Sequence, residues 1–357
     1  GEVGSFIVGN MLAPRLDCQN QLSAYLARKV GLTHPELETI TIDSACGSGG
    51  AALRAGYFAI LSGQVKHALV LGIERMEGPR EEVVKGLAGA SDWETEGKEG
   101  ETFVSLNGFL HNLYKKTYGY SKDSFFPFPQ NAHYNAKFNK QALFQKEVTE
   151  EMYSKSNIIY EPAMKIYDAS PICNGAAAVL LSSEPPPPPS LSSPNPKRNV
   201  FLAGSGAGTD DICLKNRDNL LNPVAIEKSA DQALKDAEMG IKDVDVFEIH
   251  DAYSLMAVMS LETLGLCGKG EAPVYAKEGG IRRDGATPIS ISGGLKARGH
   301  PVGASGVYQA CEVADAIQNG LKISHEETSP TKTINSGLIQ SIGGAATSAY
   351  AHVVCGE

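Results

Sequence analysis

Residues 41–50 read Thr-Ile-Asp-Ser-Ala-Cys-Gly-Ser-Gly-Gly and join two segments of different character. The segment before the turn, residues 38–42, is short and rich in β-branched residues, which predicts a strand. The segment after it, residues 51–61, is apolar with little charge and predicts a helix, and residues 67–72 are typical of a buried strand. This order of strand, turn, helix and strand predicts an α/β fold with buried sheets.

The second half of the chain repeats this order. Residues 244–249 predict a strand, residues 250–253 (His-Asp-Ala-Tyr) a turn, and residues 254–266 a helix. The two halves also end alike, because residues 174–181 and 343–354 are both apolar runs rich in alanine. Two echoes in the same order predict an internally duplicated α/β fold.

A proline-rich segment divides the chain. Residues 184–198 contain five consecutive prolines, a density that excludes helix and strand and predicts a linker or exposed loop. The predicted domains are therefore an N-terminal half, residues 1–183, and a C-terminal half, residues 199–357. Within the first half, residues from about 90 to 160 mix polar runs with aromatics and lysines, which predicts a large inserted loop region covering a site.

Composition limits the class of protein. The 357 residues are 42% hydrophobic and 20% charged, as in ordinary globular proteins. A formal net charge of −9 argues against a general nucleic-acid binder. No apolar run approaches the roughly 20 residues of a membrane span. The chain begins with glycine rather than methionine, so we expect an N-terminal piece, and targeting information with it, to have been lost.

Seven widely spaced cysteines, an odd number without a CxxC pair, indicate a reducing compartment and no bound metal. Cys46 is distinguished from the others by its place in a strand-to-helix turn. There the unpaired N–H groups of a helix N-terminus favour a thiolate, and the glycines at 47, 49 and 50 let a ligand approach the backbone. At this point a nucleophile and a small buried apolar residue are equally good interpretations of Cys46.

Two histidines are candidate partners of that thiol. Residues 290–306 form a glycine-rich loop that leads into a predicted helix, and the loop displays His300 between a glycine and a proline. A nucleophilic thiol needs a base, so a Cys–His pair is the alternative to an ordinary polar histidine. His250, in the 250–253 turn, is either a helix cap with Asp251 or a donor to a developing oxyanion. Residues 341–344 (Ser-Ile-Gly-Gly) are predicted as a turn between strands.

Taken in order, Cys46-Gly-Ser, the 250–253 turn, Gly-His300-Pro and Ser341-Ile-Gly resemble the four catalytic loops of the thiolase family. The resemblance spans nearly the whole chain and implies a layered α-β-α-β-α fold. It also implies that Cys46 carries the acyl group and that His300 activates the thiol. His250, through a water, would form one oxyanion hole with His300, and the N–H groups of Cys46 and Gly343 would form the second.

The resemblance further implies that coenzyme A thioesters are the substrates, that no cofactor is tightly bound, and that the protein is a homodimer. The inserted region would bind coenzyme A. Four of its lysines are weak candidates for phosphate contacts, with solvated surface positions as the alternative: Lys115, Lys116, Lys137 and Lys140. The family resemblance favours a mitochondrial location, with peroxisomal or cytosolic locations as alternatives.

The chain departs from the family at the second acid/base. Most thiolases place a cysteine where this chain has Ser341, and the sterol-carrier-protein branch places one where it has Ala252. Ser292 also stands where an asparagine is usual, which puts the hydrogen bonding around His300 in question. The His-Asp turn with both cysteines absent resembles the sterol-carrier-protein-thiolase-like proteins of trypanosomatids and bacteria.

We therefore predict an acyltransferase of lipid or sterol metabolism with weak or altered thiolysis or Claisen condensation of 3-ketoacyl-CoA, of the acetoacetyl-CoA class. One alternative is a decarboxylating condensation of malonyl-CoA like that of the ketoacyl synthases. A second is a non-catalytic protein that binds acyl-CoA or lipid, and a third is an α/β domain without acyl chemistry.

Overall fold

The computed structural model describes residues 2–185 and 197–357, which form two four-stranded sheets and the helices around them. Residues 186–196, most of the predicted linker, lie outside the described part. All seven cysteines are within it and are free thiols. Among the described residues, no helix is both long enough and apolar enough to cross a bilayer.

The first half contains six strands and seven helices within its described residues. In chain order they are β1 Ser5–Gly9, α1 Ala13–Leu16, α2 Leu22–Lys29, β2 Glu38–Ile42, α3 Ser48–Leu61, β3 His67–Glu74, α4 Arg80–Ala88, α5 Phe103–Tyr118, α6 Pro127–Ala136, α7 Glu150–Ser154, β4 Ile158–Tyr160, β5 Met164–Lys165 and β6 Gly175–Ser182.

The second half follows the same plan. Its elements are β7 Val200–Thr209, α8 Val224–Asp236, β8 Val246–Glu248, α9 Ser254–Thr263, α10 Ala272–Lys277, α11 Ser305–Asn319, β9 Leu321–Lys322, β10 Thr331–Lys332, β11 Ser336–Gly343 and β12 Ser348–Gly356. Short π-helical segments cover Trp93–Gly97 and Gly294–Arg298.

The two sheets have matching topologies. In the first, the order is β2-β1-β3-β6, with β1 parallel to β2 and β3 and with β6 antiparallel to β3. In the second, the order is β7-β12-β11-β8, with β11 parallel to β8 and antiparallel to β12. Strands β1, β3 and β6 therefore correspond to β8, β11 and β12. This correspondence confirms the predicted duplication but not its predicted pairing, because β8 corresponds to β1 rather than to β2. The Cys46 turn, which follows β2, is therefore not the counterpart of the His250 turn, which follows β8. Among the described strands, β2 and β7 have no counterpart in the other sheet.

Helices α3 and α11 lie between the two sheets and pack against each other. Their N-terminal turns approach closely at glycines, because a side chain at Gly306 would meet the backbone nitrogen of Gly50. Apolar side chains from both sheets and both helices close the central layer, as with Val70, Val307 and Ile339. Helix α2 covers the outside of the first sheet and α8 covers the outside of the second, which completes the layered arrangement.

The structure changes two local predictions. The region 90–160 is not loop throughout, because it contains three helices joined by loops: α5, which begins with a capping box at Thr102, and then α6 and α7. Side-chain amides of Asn131 and Asn135 on α6 donate to the Ile289 carbonyl, so this region supports the second half from the side. Ser341 lies within β11 rather than in a turn, because the buried strand continues to Gly343.

Candidate active site

The Cys46 turn is held by its own short polar side chains. Asp43 accepts a hydrogen bond from the Ala45 amide at 2.8 Å. The Ser48 hydroxyl accepts from the Ser44 amide at 2.8 Å and donates to the Ala45 carbonyl at 2.6 Å. Ala45 takes a left-handed conformation with φ 52°, which a non-glycine residue adopts only when its surroundings hold it there. The turn thus fixes Cys46 two residues before α3 begins.

His300 is held by its loop in a form suited to a base. Gly299 has φ 112°, and the His300 amide donates to the Pro171 carbonyl at 3.2 Å. The Nδ1 atom of His300 lies 2.7 Å from the Ser305 hydroxyl, which is itself 3.4 Å from the Pro301 carbonyl. When that hydroxyl donates to the carbonyl, Nδ1 carries the ring proton and Nε2 keeps its lone pair. Buried Nε2 has no hydrogen-bond partner among the described residues.

His250 carries its ring proton on Nε2, the nitrogen that is left with a lone pair in His300. It follows β8, and its amide donates to the Gln340 side chain at 3.3 Å. Its Nδ1 accepts a hydrogen bond from the Ile342 amide at 3.3 Å, so the proton of the neutral ring is on Nε2. The neighbouring Asp251 accepts from the Leu295 amide at 2.6 Å, which ties this turn to the loop leading to His300. His250 therefore presents an N–H donor.

The three side chains meet in one place. The Cys46 sulfur and ring nitrogens of His250 and His300 all lie within 4.8 Å of one another. The two rings are 5.1 Å apart between centroids and meet edge to face at 85°. A thiol and two imidazoles are zinc-type ligands, but a metal needs a lone pair from each imidazole. Because His250 Nε2 carries its proton, this set suits acyl chemistry better than metal binding.

Burial decides the charges at this site. The pKa of Cys46 is raised to about 12, first by burial and then by the nearby Glu74 carboxylate. A backbone N–H at the turn lowers the pKa of Cys46, in the predicted direction, but burial and Glu74 outweigh it. Burial, and then Arg298, lower the pKa of His250 to about 3. The pKa of His300 is lowered well below its usual value by burial, His250 and Arg298, so both imidazoles are neutral.

Gly343 lies beside the Cys46 turn. It ends β11, and a side chain at Gly343 would meet the Ser44 carbonyl. A Cβ added at Gly47 would lie 3.1 Å from the Gly343 nitrogen. The Gly343 amide is thus in the neighbourhood that the predicted second oxyanion hole requires, and its role remains a prediction.

Neither of the two positions at which thiolases carry a second acid/base provides one in this chain. Ser341 is fully buried against Gly50 and Gly306, and its hydroxyl has no hydrogen-bond partner in the described part of the chain. Ala252 is buried, and its carbonyl accepts from the Ser170 amide at 2.7 Å. The next residue, Tyr253, was not predicted as part of the site. The pKa of its phenol is raised first by burial and then by Cys46.

The loop segment around Ser292 is supported from α6 and its surroundings. Asn139 donates from its side chain to the Ser292 carbonyl at 3.2 Å, and Asn135 donates to the Ser290 carbonyl at 3.0 Å. The loop is therefore held through backbone carbonyls, so the missing asparagine at 292 does not leave it unsupported.

The four lysines predicted to contact the phosphates of coenzyme A differ in their exposure and in their existing partners. Lys115 is buried, donates to the Lys122 carbonyl at 2.6 Å and covers the Phe125 ring, so it is unsuited to a phosphate contact. Lys137 forms an exposed ion pair with Glu147 at 2.5 Å. Lys116 and Lys140 are exposed and stay candidates.

Sequence reasoning also missed Glu74 and Ser305. A signal existed for Glu74, because it is a carboxylate at the end of a buried strand. For Ser305 the signal was its place five residues after His300, at the first position of a predicted helix.

Comparisons with known proteins agree with the architecture. The family described as "Thiolase, N-terminal domain" matches residues 1–185, and "Thiolase C-terminal domain-like" matches residues 206–355. The acetyl-CoA acetyltransferase of Methanothermobacter thermautotrophicus is 32% identical over 99% of this chain and 88% of the relative. Sterol carrier protein 2 of Gallus gallus is 26% identical over 79% of this chain and 53% of the relative, so the match spans about half of that protein.

Two solved structures share the fold at 16% identity. The Ltp2–ChsH2(DUF35) aldolase has a TM-score of 0.78 and is matched over 99% of this chain and 87% of its own. A monomeric SCP2-thiolase-like protein of type 1 from Mycobacterium smegmatis has a TM-score of 0.68, over 98% of this chain and 68% of its own. At this identity the similarity concerns the fold alone.

Proposed function

The chain belongs to the thiolase family, and we propose that it transfers the acyl group of a coenzyme A thioester through an acyl-enzyme at Cys46. One observation carries the proposal: the Cys46 sulfur and one ring nitrogen each of His250 and His300 lie within 4.8 Å of one another. These are the nucleophile, base and oxyanion donor that acyl transfer needs. The acetyl-CoA acetyltransferase relative supports the choice of substrate class.

Proton transfer accompanies the attack. Because the Cys46 thiol is protonated at neutral pH, His300 Nε2 accepts its proton as sulfur attacks the thioester carbonyl. The carbonyl oxygen gains negative charge and is stabilised by the His250 N–H, directly or through a water. The carbon–sulfur bond to coenzyme A then breaks, and His300 returns the proton to the leaving thiolate. The products are acyl-Cys46 and free coenzyme A.

Carbon–carbon chemistry is expected to be slow or altered. Thiolysis and condensation require a second group that exchanges a proton with the α-carbon of the acyl chain. Ser341 offers only a hydroxyl, whose pKa is far above that of a thiol, and Ala252 offers nothing. We therefore propose that acyl transfer is faster than the cleavage or formation of 3-ketoacyl-CoA of the acetoacetyl-CoA class. Participation in lipid or sterol metabolism belongs to this proposal.

The absence of a second acid/base at residues 341 and 252 also favours a second candidate, decarboxylating condensation. A malonyl donor loses carbon dioxide and so generates its own carbanion, without a second base. The neutral His250 and His300 suit that reaction as well, because neither imidazole needs to remove a proton from carbon.

A non-catalytic acyl-CoA-binding protein is the third candidate. The buried Cys46, which is 9% exposed and has a raised pKa, is the observation in its favour.

Intact-protein mass spectrometry separates the three candidates. The protein is incubated with acetyl-, acetoacetyl- or malonyl-CoA, and Cys46→Ala is the matched control. Acyl transfer predicts an adduct with acetyl- and acetoacetyl-CoA that the control lacks, with release of coenzyme A. Carbon dioxide release from malonyl-CoA, dependent on Cys46, supports decarboxylation. Tight coenzyme A binding that is unchanged in Cys46→Ala, without adducts, overturns both catalytic candidates.

We also propose a homodimer that pairs through β2. Among the described strands, β2 pairs only with β1, and Ile40 on it is 36% exposed, so its other edge is free for a second copy. Light scattering on the purified protein should give twice 37.8 kDa, and Ile40→Lys should give 37.8 kDa. A single-chain mass for the unmodified protein contradicts the dimer and matches the monomeric Mycobacterium smegmatis relative.

A mitochondrial location remains a proposal from the family resemblance.

A further inference from the structure

Glu74 is a buried carboxylate that faces four N–H donors. It ends β3 and is 2% exposed. One oxygen accepts from the Asn10 side chain at 2.8 Å and from the Leu12 amide at 3.0 Å. The other accepts from the Met11 and Gly303 amides, each at 3.0 Å. Only the ionised form of a carboxyl group accepts at every position, so this setting matches a carboxylate.

The donors belong to two segments that border Cys46. Residues 10–12 follow β1, and Leu12 packs with Cys46 and Val302 in one apolar cluster. Gly303 is three residues after His300, in the loop that leads into α11. The fit around Gly303 is close, because a Cβ there would lie 2.7 Å from the Glu74 oxygen. Glu74 therefore connects the surroundings of the thiol to the loop that carries its base.

Glu74 also acts on Cys46 through its charge. After burial, it is the largest cause of the raised pKa of Cys46, and Asp43 is a smaller one. The pKa of Glu74 itself is raised to about 7, by burial and then, against the opposing hydrogen bonds, by Asp43. The charged group that acts on it is thus a second acid rather than a cation. Above neutral pH the carboxylate is ionised and repels a negative charge on sulfur.

We propose that Glu74 is a positioning residue of the acyl-transfer site, which ties the His300 loop to residues 10–12 and sets the charge that the Cys46 sulfur faces. This inference rests on the proposed function for its purpose, but its effect on the thiol is measurable without acyl transfer. Burial and this carboxylate together keep Cys46 protonated in the resting protein. The thiolate then forms as His300 accepts the proton, at the moment when a thioester carbonyl is in place to be attacked.

The first test compares Glu74→Gln with Glu81→Gln. Gln keeps the shape of Glu74 and removes its charge, while Glu81 is an exposed acid on α4 and controls for net charge. The rate of Cys46 alkylation by iodoacetamide is measured from pH 7 to 10 by peptide mass spectrometry. We expect the Glu74→Gln profile to move to lower pH, with about tenfold faster alkylation at a given pH for each unit by which the thiol pKa falls. Glu81→Gln should match the unmodified protein.

A purely structural Glu74 would lower the melting temperature without moving this pH profile. Superimposable alkylation profiles for Glu74→Gln and the unmodified protein overturn the inference. That result is distinct from failure of the proposed function, which is the absence of any Cys46 acyl adduct in the unmodified protein.

Glu74→Asp provides the second test, also where Glu74→Gln does not fold. Asp keeps the charge but is one methylene shorter, so it withdraws from Gly303. We expect an alkylation profile like that of the unmodified protein and acyl-enzyme formation about tenfold slower, the effect of one lost hydrogen bond of about 1.4 kcal/mol. Full acylation rate in Glu74→Asp overturns the positioning part of the inference.

Discussion

His250 and His300 have different hydrogen-bond partners, and these partners give them different tasks. The Ile342 amide donates to Nδ1 of His250, so that ring offers an N–H to the site. When the Ser305 hydroxyl donates to the Pro301 carbonyl, Nδ1 of His300 keeps its proton, so that ring offers a lone pair. Because burial keeps both rings neutral, neither task depends on a proton gained or lost between pH 6 and 8.

Removal of the donor at His250 should slow acylation without abolishing it. For His250→Ala we expect acyl-Cys46 to form about 10²–10³-fold more slowly, the usual effect of one lost oxyanion donor. Rapid-quench sampling with acetyl-CoA, read by intact mass, measures this rate. His34→Ala, at a partly exposed histidine whose Nε2 lies 2.7 Å from the Val3 carbonyl, is the control. An unchanged rate in His250→Ala would remove His250 from the mechanism.

Replacing Ala252 by cysteine should restore a second acid/base. The position is 6% exposed and two residues after His250, where the thiolase resemblance places such a thiol. We expect Ala252→Cys to convert acetoacetyl-CoA and added coenzyme A into two acetyl-CoA at least about tenfold faster than the unmodified protein, with little change in acylation by acetyl-CoA. The matched control is Ala252→Ser, whose hydroxyl is a poor base. An equal increase in the thiolysis rate of both variants would contradict the proposal that this chain lacks a second acid/base at position 252.

Residue types and their order predicted which side chains meet, but not their ionisation. The turns of Cys46, His250 and His300 were identified from glycines, strand ends and spacing. The tautomers and the protonated thiol depend on Ile342, Ser305 and Glu74. These contacts form only after distant segments pack together, so no local pattern reports them.

Among the secondary-structure elements, helices α3 and α11 position the site, because both helices begin next to it. Cys46 precedes α3 by two residues and His300 precedes α11 by five. Glycine contacts between their first turns let the two backbones approach. Strand β12 also contacts the start of α3. Nε2 of His352, on β12, lies 3.0 Å from the Gly50 carbonyl oxygen.

The burial of His352 should make the stability of the protein depend on pH. Burial lowers the pKa of His352 to about 4, against an unfolded value of about 6.5. The folded state therefore favours the neutral ring, and its advantage is present above pH 6.5 and lost as pH falls towards 4. Relative to His352→Gln, we expect the unmodified protein to lose about 2 kcal/mol of unfolding free energy between pH 7.5 and 5.

Urea denaturation of both proteins at the two pH values measures this difference. His34→Gln, at a partly exposed histidine, is the control and should show no comparable loss. A difference between His352→Gln and the unmodified protein that does not change with pH would contradict a buried neutral His352.

At the scale of the whole molecule, the duplication was visible in the sequence but the role of the inserted region was not. Strand and helix periods repeat in both halves, so an α/β duplication followed from pattern. The strand order and the packing of α3 against α11 did not, because both depend on contacts between distant segments. The region 90–160 has weaker periodicity and was predicted as loop. Its helix α6 is set by contacts with the Ile289 and Ser290 carbonyls of the second half, which lie far away in the chain.

The central claim is that Cys46, and no other thiol, becomes acylated by a coenzyme A thioester. The most direct measurement is peptide mass spectrometry that quantifies acyl groups on all seven cysteines during incubation with acetyl-CoA at pH 7.5. We expect a time-dependent thioester on Cys46 that reaches near one per chain and is removed by added coenzyme A. Label spread over exposed cysteines, or none on Cys46, would contradict it.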